Sequence, residues 1–292
     1  MQKSSIYKKK MNILTIDIEE WFHLLEFAGT KNEAQWNKFE SRIHNNVDRI
    51  LHILDESNNK ATFFVVGWVA KRYPEIVKKI AQKYEIGSHS MNHQLVWQQD
   101  RQEFKKDLEE SIKILQDTTG QAVKYFRAPG FSIRKDEPWA FEILGELGIE
   151  IDCSVFPAIH AHGGIPDYPT HKQSIIEHNG VRIKEFPITT KKIFRKNVAF
   201  SGGGYFRITP YGLIKRWTQQ NSDYNLCYIH PRDLDGDQPM IPGLPITRKF
   251  KSYVGIKHAE EKFRHYMKDF KFIDLKTADE MTDWDNVPII KL

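Results

Sequence analysis

The chain has 292 residues, of which 40% are hydrophobic and 28% are charged, and its net charge is +5. These proportions are typical of a globular protein and exclude a largely disordered chain. The basic residues are spread along the sequence, so nucleic acid is not an expected partner. No apolar run reaches the length of about 18 residues that a transmembrane helix needs.

The first ten residues, MQKSSIYKKK, are polar and basic, and we predict a flexible tail at 1–10 followed by a single domain at 11–292. The apolar stretch after the lysines is too short for the core of a signal peptide, which favours a cytoplasmic location. Cys153 and Cys227 lack CxxC spacing and are too few for a disulfide framework. We therefore expect both to be reduced, partly buried thiols.

Apolar segments rich in β-branched and aromatic residues alternate with amphipathic segments along the chain. The predicted strands are 12–18, 61–67, 85–89, 123–127, 149–155, 181–188, 226–231 and 270–275. The predicted helices are 41–57, 74–84, 100–117, 138–147 and 258–267, with one more after the glycine-rich turn at 201–210. Long loops are expected at 157–172 and 235–245. This βα alternation predicts an α/β fold in which helices connect the strands of a sheet or barrel.

Five of the predicted strands end at ionisable side chains. These are Asp17, Glu19 and Glu20 after the first strand, then His89 and His93, Arg127, Asp152 and His230. In an α/β barrel, functional groups gather where strands end and loops begin. Carboxylates, imidazoles and a guanidinium at one rim indicate a metal-assisted hydrolase.

The stretch HSMNH places His89 and His93 four residues apart, so that one helical turn could direct both imidazoles at a single metal ion. Two side chains do not hold a metal alone. The spacing therefore raises the question of which residue supplies the third ligand.

The segments named above resemble, in the same order, the motifs of the NodB-type polysaccharide deacetylases, which are carbohydrate esterases. The resemblance covers about 12–231 and rests on HSMNH, RAPG, DCS and YIHP, while DIEEWFH, SGGGYFR and HPRDLD resemble a branch associated with exopolysaccharide loci. It implies a distorted (β/α)7 barrel that removes N-acetyl groups from amino sugars with the help of a divalent metal. Zn²⁺ is the expected ion, with Co²⁺ or Ni²⁺ as alternatives.

The first motif departs from the family pattern of two adjacent aspartates, because Ile18 follows Asp17. Other members carry the two acids two positions apart. That form implies Asp17 as the general base and Glu19 as the third metal ligand beside His89 and His93. Glu20 remains the competing candidate for the ligand.

The resemblance also implies roles for the remaining candidates. Arg127 would hold Asp17 ionised, while His230, with Asp152 as its partner, would protonate the leaving amine. A backbone N–H at Gly130 would help to stabilise the oxyanion. Four aromatic residues are expected to stack on the sugar: Trp21, Phe22, Phe131 and Tyr205.

Two other functions stay open at this point. A metal-free relative of the barrel could hydrolyse a cyclic ureide or another small amide. A catalytically silent protein could keep the cleft and bind carbohydrate only. The expected partner is an N-acetylated amino sugar in a polysaccharide, an oligosaccharide or an activated or lipid-linked intermediate. A cytoplasmic enzyme would not meet finished extracellular polymer, which favours a nucleotide-linked or lipid-linked form.

Overall fold

The structure is a computed structural model that describes residues 10–25, 27–193, 196–221 and 223–292. Apart from Lys10, the predicted tail lies outside the described residues. The strands are β1 (Met11–Ile18), β2 (Thr62–Val65), β3 (Glu85–Ser88), β4 (Tyr125–Phe126), β5 (Ile151–Asp152), β6 (Ser174–His178), β7 (Val181–Glu185), β8 (Thr190–Ile193), β9 (Lys196–Ala199), β10 (Tyr224–Ile229) and β11 (Ile289–Lys291).

The helices cover the sheet from outside. They are α1 (Glu33–Trp36), α2 (Ile43–Ser57), α3 (Gly67–Arg72), α4 (Pro74–Ala81), α5 (Arg101–Thr119), α6 (Trp139–Glu146), α7 (Gly203–Ile208), α8 (Tyr211–Gln220), α9 (Ile246–Tyr253), α10 (Ala259–Asp269) and α11 (Leu275–Met281). Within the described ranges, no helix has both the length and the apolar character needed to cross a bilayer.

The main sheet has the order β10-β1-β2-β3-β4-β5-β7-β6-β11. Its first seven strands are all parallel, whereas β6 runs antiparallel to β7 and pairs with β11. Parallel strands joined through helices on the outer face form the distorted (β/α)7 barrel that the resemblance predicted.

Single contacts rather than a continuous ladder bridge the gap between β7 and β10, which we call the seam. Thr189 Oγ1 accepts a hydrogen bond of 2.7 Å from the Leu226 amide, and the Tyr224 hydroxyl donates to the Pro187 carbonyl. Farther along β10, the Tyr228 amide donates to the Ser201 carbonyl at 3.3 Å. The barrel is therefore closed at the seam by a few bonds from loop residues.

Strand residues alternate between two buried clusters, as the pleat of a strand requires. On β2, Phe63 packs in the larger cluster with residues of the helices, and Phe64 packs in a smaller one that includes Phe131 and Tyr228. The smaller cluster fills the barrel interior beneath the site described below. Cys153 and Cys227 are buried and unpaired, as predicted, and burial raises the pKa of both thiols.

The structure differs from the predicted elements mainly in the second half of the chain. The strands β6 and β11, the β8–β9 hairpin and the helix α9 were missed because each is short, as were the short helices α1 and α3 of the first half. The predicted strand 270–275 is wrong. Ile273 makes a single bridge to Ile13, and then the Asp274 carboxylate accepts a hydrogen bond from the Thr277 amide and starts α11.

Candidate active site

A cleft of about 390 Å³ opens at the carboxyl ends of β1, β3, β4 and β10. Its walls include Asp17, Glu19, His89, Arg127 and His230, each of which lies at or just after the end of one of these strands. The parallel strands all point the same way, so their ends bring side chains that are far apart in sequence to one place.

Glu19, His89 and His93 form a cluster with the geometry of a metal site. Their ligand atoms lie within 4.8 Å of one another and all three residues are buried. His93 Nε2 is 2.6 Å from Glu19 Oε2. Two imidazoles and a carboxylate suit Zn²⁺ and similar divalent ions, and three protein ligands leave further positions open. The residues present therefore fit a divalent metal ion.

His89 is prepared for this role by its surroundings. Its Nδ1 lies 2.7 Å from the Arg127 carbonyl oxygen, which can only accept a hydrogen bond, so the proton is on Nδ1 and the lone pair on Nε2. Burial lowers the pKa of His89 to about 4, despite the nearby charge of Asp17. A neutral imidazole with a free Nε2 is the state that binds a metal.

The stretch HSMNH is a loop, so the expected helical turn is wrong. Ser90 and His93 have positive φ angles of 63° and 52°, and Ser90 Oγ accepts a hydrogen bond of 2.9 Å from the His93 amide. Asp107 on α5 accepts bonds from the amides of Met91 (2.7 Å) and Asn92 (3.1 Å). These contacts stabilise a strained backbone that directs both imidazoles at Glu19.

Asp17 and Arg127 form a buried ion pair, with 2.7 Å between Asp17 Oδ1 and Arg127 Nη1. The guanidinium also donates to Thr15 Oγ1 (2.7 Å) and the Cys153 carbonyl (3.2 Å), and it lies 4.5 Å from the centre of the Phe64 ring. Burial lowers the pKa of Arg127, but the charge of Asp17 and further contacts produce a net increase. The arginine thus stays charged and fixes one carboxylate oxygen of Asp17.

His230 pairs with Asp233, and the prediction that Asp152 is its partner is wrong. Asp233 Oδ2 lies 2.8 Å from His230 Nδ1 and accepts the His230 amide at 3.0 Å, while Asp233 Oδ1 lies 3.0 Å from Arg207 Nε. His230 Nε2 faces the cleft, 3.7 Å from Asp17 Oδ2 and 4.0 Å from Glu19 Oε1. Both distances are too long for a direct hydrogen bond.

The pKa of His230 follows from this arrangement. Burial lowers it, but the charge and hydrogen bond of Asp233, with smaller contributions from Glu19 and Asp17, raise it to about 9. Burial raises the pKa of Asp233, whereas His230 and Arg207 lower it to about 2. At neutral pH the pair is therefore an imidazolium beside a carboxylate.

Asp152 lies inside the barrel, where its carboxylate accepts bonds from the hydroxyl (2.6 Å) and amide (3.0 Å) of Ser154. It is paired in strand register with Glu185 on β7. Burial, followed by the charge of Asp152, raises the pKa of Glu185 well above its usual range. Asp152 therefore belongs to a buried acid pair with Glu185 and Ser154 as its partners, and His230 is held by Asp233 instead.

Three further candidates lie away from the cleft. Glu20 is buried and accepts bonds from the Ser41 hydroxyl and the Arg42 amide at the start of α2, so it is not the third member of the metal cluster. Trp21 is also buried, and its Nε1 donates to the Glu40 carbonyl at 2.9 Å. Phe22 is buried as well and, like Trp21, does not line the cleft, so the prediction that these two residues stack on a sugar is wrong.

The remaining candidates do line the cleft. Gly130 has φ +60°, and a Cβ there would lie 2.7 Å from Leu25 Cδ1 and 2.9 Å from His162 Cβ, so both its conformation and its surroundings require glycine. Phe131 is only 5% exposed and packs edge-on against Tyr228. Tyr205 is half-buried and presents part of its ring to the cleft.

Comparison with known families agrees with this geometry. Residues 29–150 match the polysaccharide deacetylase family, and residues 153–280 match a domain of unknown function, DUF3473. The chain contains a polysaccharide deacetylase domain. His89, His93 and Arg127 lie in the first matched segment and His230 in the second, whereas Asp17 precedes both. Strands of both segments pair in one sheet, so the cleft is built from both.

Similar proteins extend the comparison to this family of deacetylases. A peptidoglycan-N-acetylglucosamine deacetylase of Bacillus cereus is 34% identical over 96 residues, which is 32% of this chain and 35% of the relative. The chain thus spans about a third of the length of the curated relatives it matches.

Two solved structures show the shared fold. A polysaccharide deacetylase-type structure from Mycobacterium smegmatis superposes with a TM-score of 0.65 at 18% identity and covers 97% of this chain and 95% of its own. A peptidoglycan N-acetylglucosamine deacetylase structure superposes with a TM-score of 0.52, also at 18% identity, over 95% and 92% of the two chains. At such identities the likeness supports the barrel fold alone.

Sequence reasoning missed Asp233 and Arg207. A signal for Asp233 was present, since HPRDLD places a carboxylate three residues after His230, within reach of the same turn. Arg207 gave no such signal. It lies on α7, more than twenty residues before His230, and meets Asp233 only because α7 packs beside the end of β10.

Proposed function

We propose that this protein is a metal-dependent hydrolase that removes an N-acetyl group from an amino sugar. The observation that carries the proposal is a single cleft in which the cluster of Glu19, His89 and His93 lies beside an Asp17–Arg127 pair and a His230–Asp233 pair. The donor set favours Zn²⁺, with Co²⁺ or Ni²⁺ as alternatives.

A divalent ion held by Glu19, His89 and His93 would polarise the acetyl carbonyl and lower the pKa of water. Asp17 is the proposed general base. Its Oδ1 is held by Arg127, and its Oδ2 faces the cleft at 3.7 Å from His230 Nε2. Oδ2 is therefore the atom that takes the proton from the attacking water.

His230 is the proposed general acid. An amine is a poor leaving group unless it is protonated, and His230 Nε2 carries a proton at neutral pH because Asp233 holds the imidazolium. The carboxylate of Asp17 and the imidazolium of His230 face the same space from two strands, β1 and β10. A base and an acid are thus both available at the amide that is cleaved.

The substrate class is inferred from the family. Relatives named peptidoglycan-N-acetylglucosamine deacetylase and chitooligosaccharide deacetylase support an N-acetylated amino sugar as the substrate. From the sequence alone, we also propose a role in exopolysaccharide synthesis and a cytoplasmic location. Tyr205 and the loop at 157–172, which supplies His160 and His162, are the proposed contacts to the sugar.

The decisive experiment pairs metal content with acetate release. We expect the purified protein to contain about one equivalent of a divalent metal, and to release acetate from N-acetylated glucosamine oligosaccharides. Chelation should abolish this activity and metal add-back should restore it. Acetate release that persists without metal would favour the metal-free amide hydrolase. A protein that binds the sugar and one metal ion yet releases no acetate would be a silent binder.

The Asp233–His230 pair predicts a pH effect. A general acid works only when protonated, so activity should fall as pH rises through the pKa of His230, near 9. Asp233→Asn removes the charge that raises this pKa, so the alkaline limb of the kcat/KM profile should move to lower pH by about one unit or more. Asp237→Asn, at an exposed aspartate of the following loop, is the control and should leave the profile unchanged. An unmoved alkaline limb in Asp233→Asn would remove His230 from the acid role.

A further inference from the structure

Several exposed apolar side chains lie on the segments that also supply residues to the cleft lining. Of the eight large apolar side chains that are exposed among the described residues, five lie on elements bordering the cleft. We call these five the apolar rim: Ile159, Ile208, Met240, Ile246 and Phe250. Ile159 and Ile246 are each 86% exposed and Phe250 is 62% exposed. Scattered exposed apolar residues are ordinary, but their grouping on the segments that line one cleft marks an interaction surface.

The helix α9 presents its apolar side to solvent. Ile246 and Phe250 are one turn apart and share a face, and none of the eight residues of α9 is buried. On another face, Arg248 and Lys251 line the cleft, and Arg248 Nη2 donates to the Leu25 carbonyl at 3.3 Å. The helix is thus held against the protein by its polar side, opposite to the usual arrangement of a surface helix.

The same segment carries a local excess of positive charge. Residues 238–259 contain Arg248, Lys249, Lys251 and Lys257 and no aspartate or glutamate, although the whole chain has nearly equal numbers of basic and acidic residues. Lys249 lies beside the apolar face of α9 and is exposed. Apolar side chains flanked by lysines, without carboxylates, are complementary to the surface of an anionic bilayer.

Other occupants fit this surface less well. A second copy related by two-fold symmetry would bring the cationic segment against itself, which repels. A sugar polymer needs hydrogen-bonding side chains and aromatic faces, whereas the apolar rim contains three isoleucines, one methionine and a single phenylalanine. The bilayer matches both the apolar character and the charge.

We propose that the apolar rim and the lysines of α9 dock this protein on an anionic membrane surface, with the cleft facing the lipid. Arg207 connects the docking helix to the site, because it donates to the carbonyls of Ser252 (2.7 Å) and Lys251 (3.0 Å) and pairs with Asp233. The orientation of α9 therefore fixes the orientation of the cleft. Docking presents the cleft to an acetylated amino sugar carried by a lipid, and this consequence rests on the proposed function.

Vesicle flotation tests the proposal without substrate or turnover. We expect the metal-loaded protein to float with phosphatidylcholine vesicles containing about 30% phosphatidylglycerol, and to bind pure phosphatidylcholine vesicles about tenfold more weakly. The double variant Ile246→Asp/Phe250→Asp should lose about tenfold or more of the affinity for anionic vesicles. Lys249→Glu should lose a smaller part, and this loss should shrink at high salt.

The control is Ile289→Asp, which places the same charge at an exposed apolar residue of β11, on the far edge of the sheet. It should float like the wild type. Absence of flotation, or flotation equal in the double variant and the wild type, would overturn the proposal. A dimer in sedimentation analysis that the double variant dissociates would also overturn the proposal and would assign the surface to a second copy. A rise of about tenfold in the KM of that variant for soluble oligosaccharides without lipid would overturn it too and would assign the surface to sugar.

Acetate release from soluble oligosaccharides is measured on the same preparations. A protein that floats but releases no acetate would refute the proposed function and leave membrane docking standing. A protein that releases acetate but does not float would refute membrane docking alone. The two proposals therefore fail separately.

Discussion

Replacing Asp17 with asparagine is expected to reduce acetate release by about 10²- to 10⁴-fold, which is the range for loss of a positioned general base. The protein should keep its metal, because Asp17 is not a member of the Glu19, His89 and His93 cluster. Acetate release and metal content are measured on the same preparation. The amide of asparagine cannot accept the proton that Oδ2 of the carboxylate would take.

The substitution is well suited to the test because it preserves the surroundings of Arg127. The asparagine Oδ1 can still accept the hydrogen bond that Arg127 Nη1 donates, and Thr15 Oγ1 and the Cys153 carbonyl keep their bonds to the guanidinium. A buried arginine with no partner would instead cost about 3–5 kcal/mol of folding free energy. Activity close to that of the wild type would remove Asp17 from the base role. Loss of the metal would make Asp17 a ligand.

Glu19→Gln and Glu20→Gln form a matched pair that tests the third ligand. We expect Glu19→Gln to weaken metal binding by more than about 100-fold, the upper range for residues that merely support a ligand, and to abolish acetate release. Glu20→Gln should retain one equivalent of metal and most of the activity. Competition with a chromogenic chelator measures both affinities.

The structure explains why neighbouring glutamates should respond so differently. Glu19 faces His93 across 2.6 Å in the cleft, whereas Glu20 points to the start of α2, where it accepts bonds from Ser41 and Arg42. A glutamine at position 20 can accept the Arg42 amide with its single oxygen and donate its NH2 to the Ser41 hydroxyl oxygen, so its cost to the free energy of unfolding should be about 1 kcal/mol or less. The reverse result, with metal lost only in Glu20→Gln, would contradict the cluster.

The first half of the chain could be predicted well because its strands and helices alternate with clear periodicity. Asp17, His89 and Arg127 each follow an apolar strand, and parallel strands bring such positions together without further information. The choice between Glu19 and Glu20 was open in the sequence, since one position along the backbone reverses the direction of a side chain. The structure resolves it through the contacts of Glu20 with α2.

The partner of His230 could not be found from strand ends alone. Asp152 and Asp233 are both carboxylates near the end of a strand, and the sequence does not specify how far β5 lies from β10. In the closed barrel β7 lies between β5 and the seam with β10, and Asp152 bonds to Ser154 and Glu185 inside the barrel. Long-range contacts such as Arg207 with Asp233 depend on how α7 packs, and this has no local pattern.

The seam between β7 and β10 is the weakest boundary of the barrel, because a few single bonds replace a continuous ladder there. The candidate catalytic and metal-binding residues lie at the ends of β10, β1, β3 and β4, which belong to an unbroken ladder of five adjacent strands, and β10, which carries His230, also forms one border of the seam. Opening of the seam would separate β10 from β7 and leave intact the ladder that joins β10, β1, β2, β3 and β4. Such an opening would widen the mouth of the cleft for a bulky sugar. The continuous part of the sheet would meanwhile maintain the distances between the proposed base, acid and metal ligands.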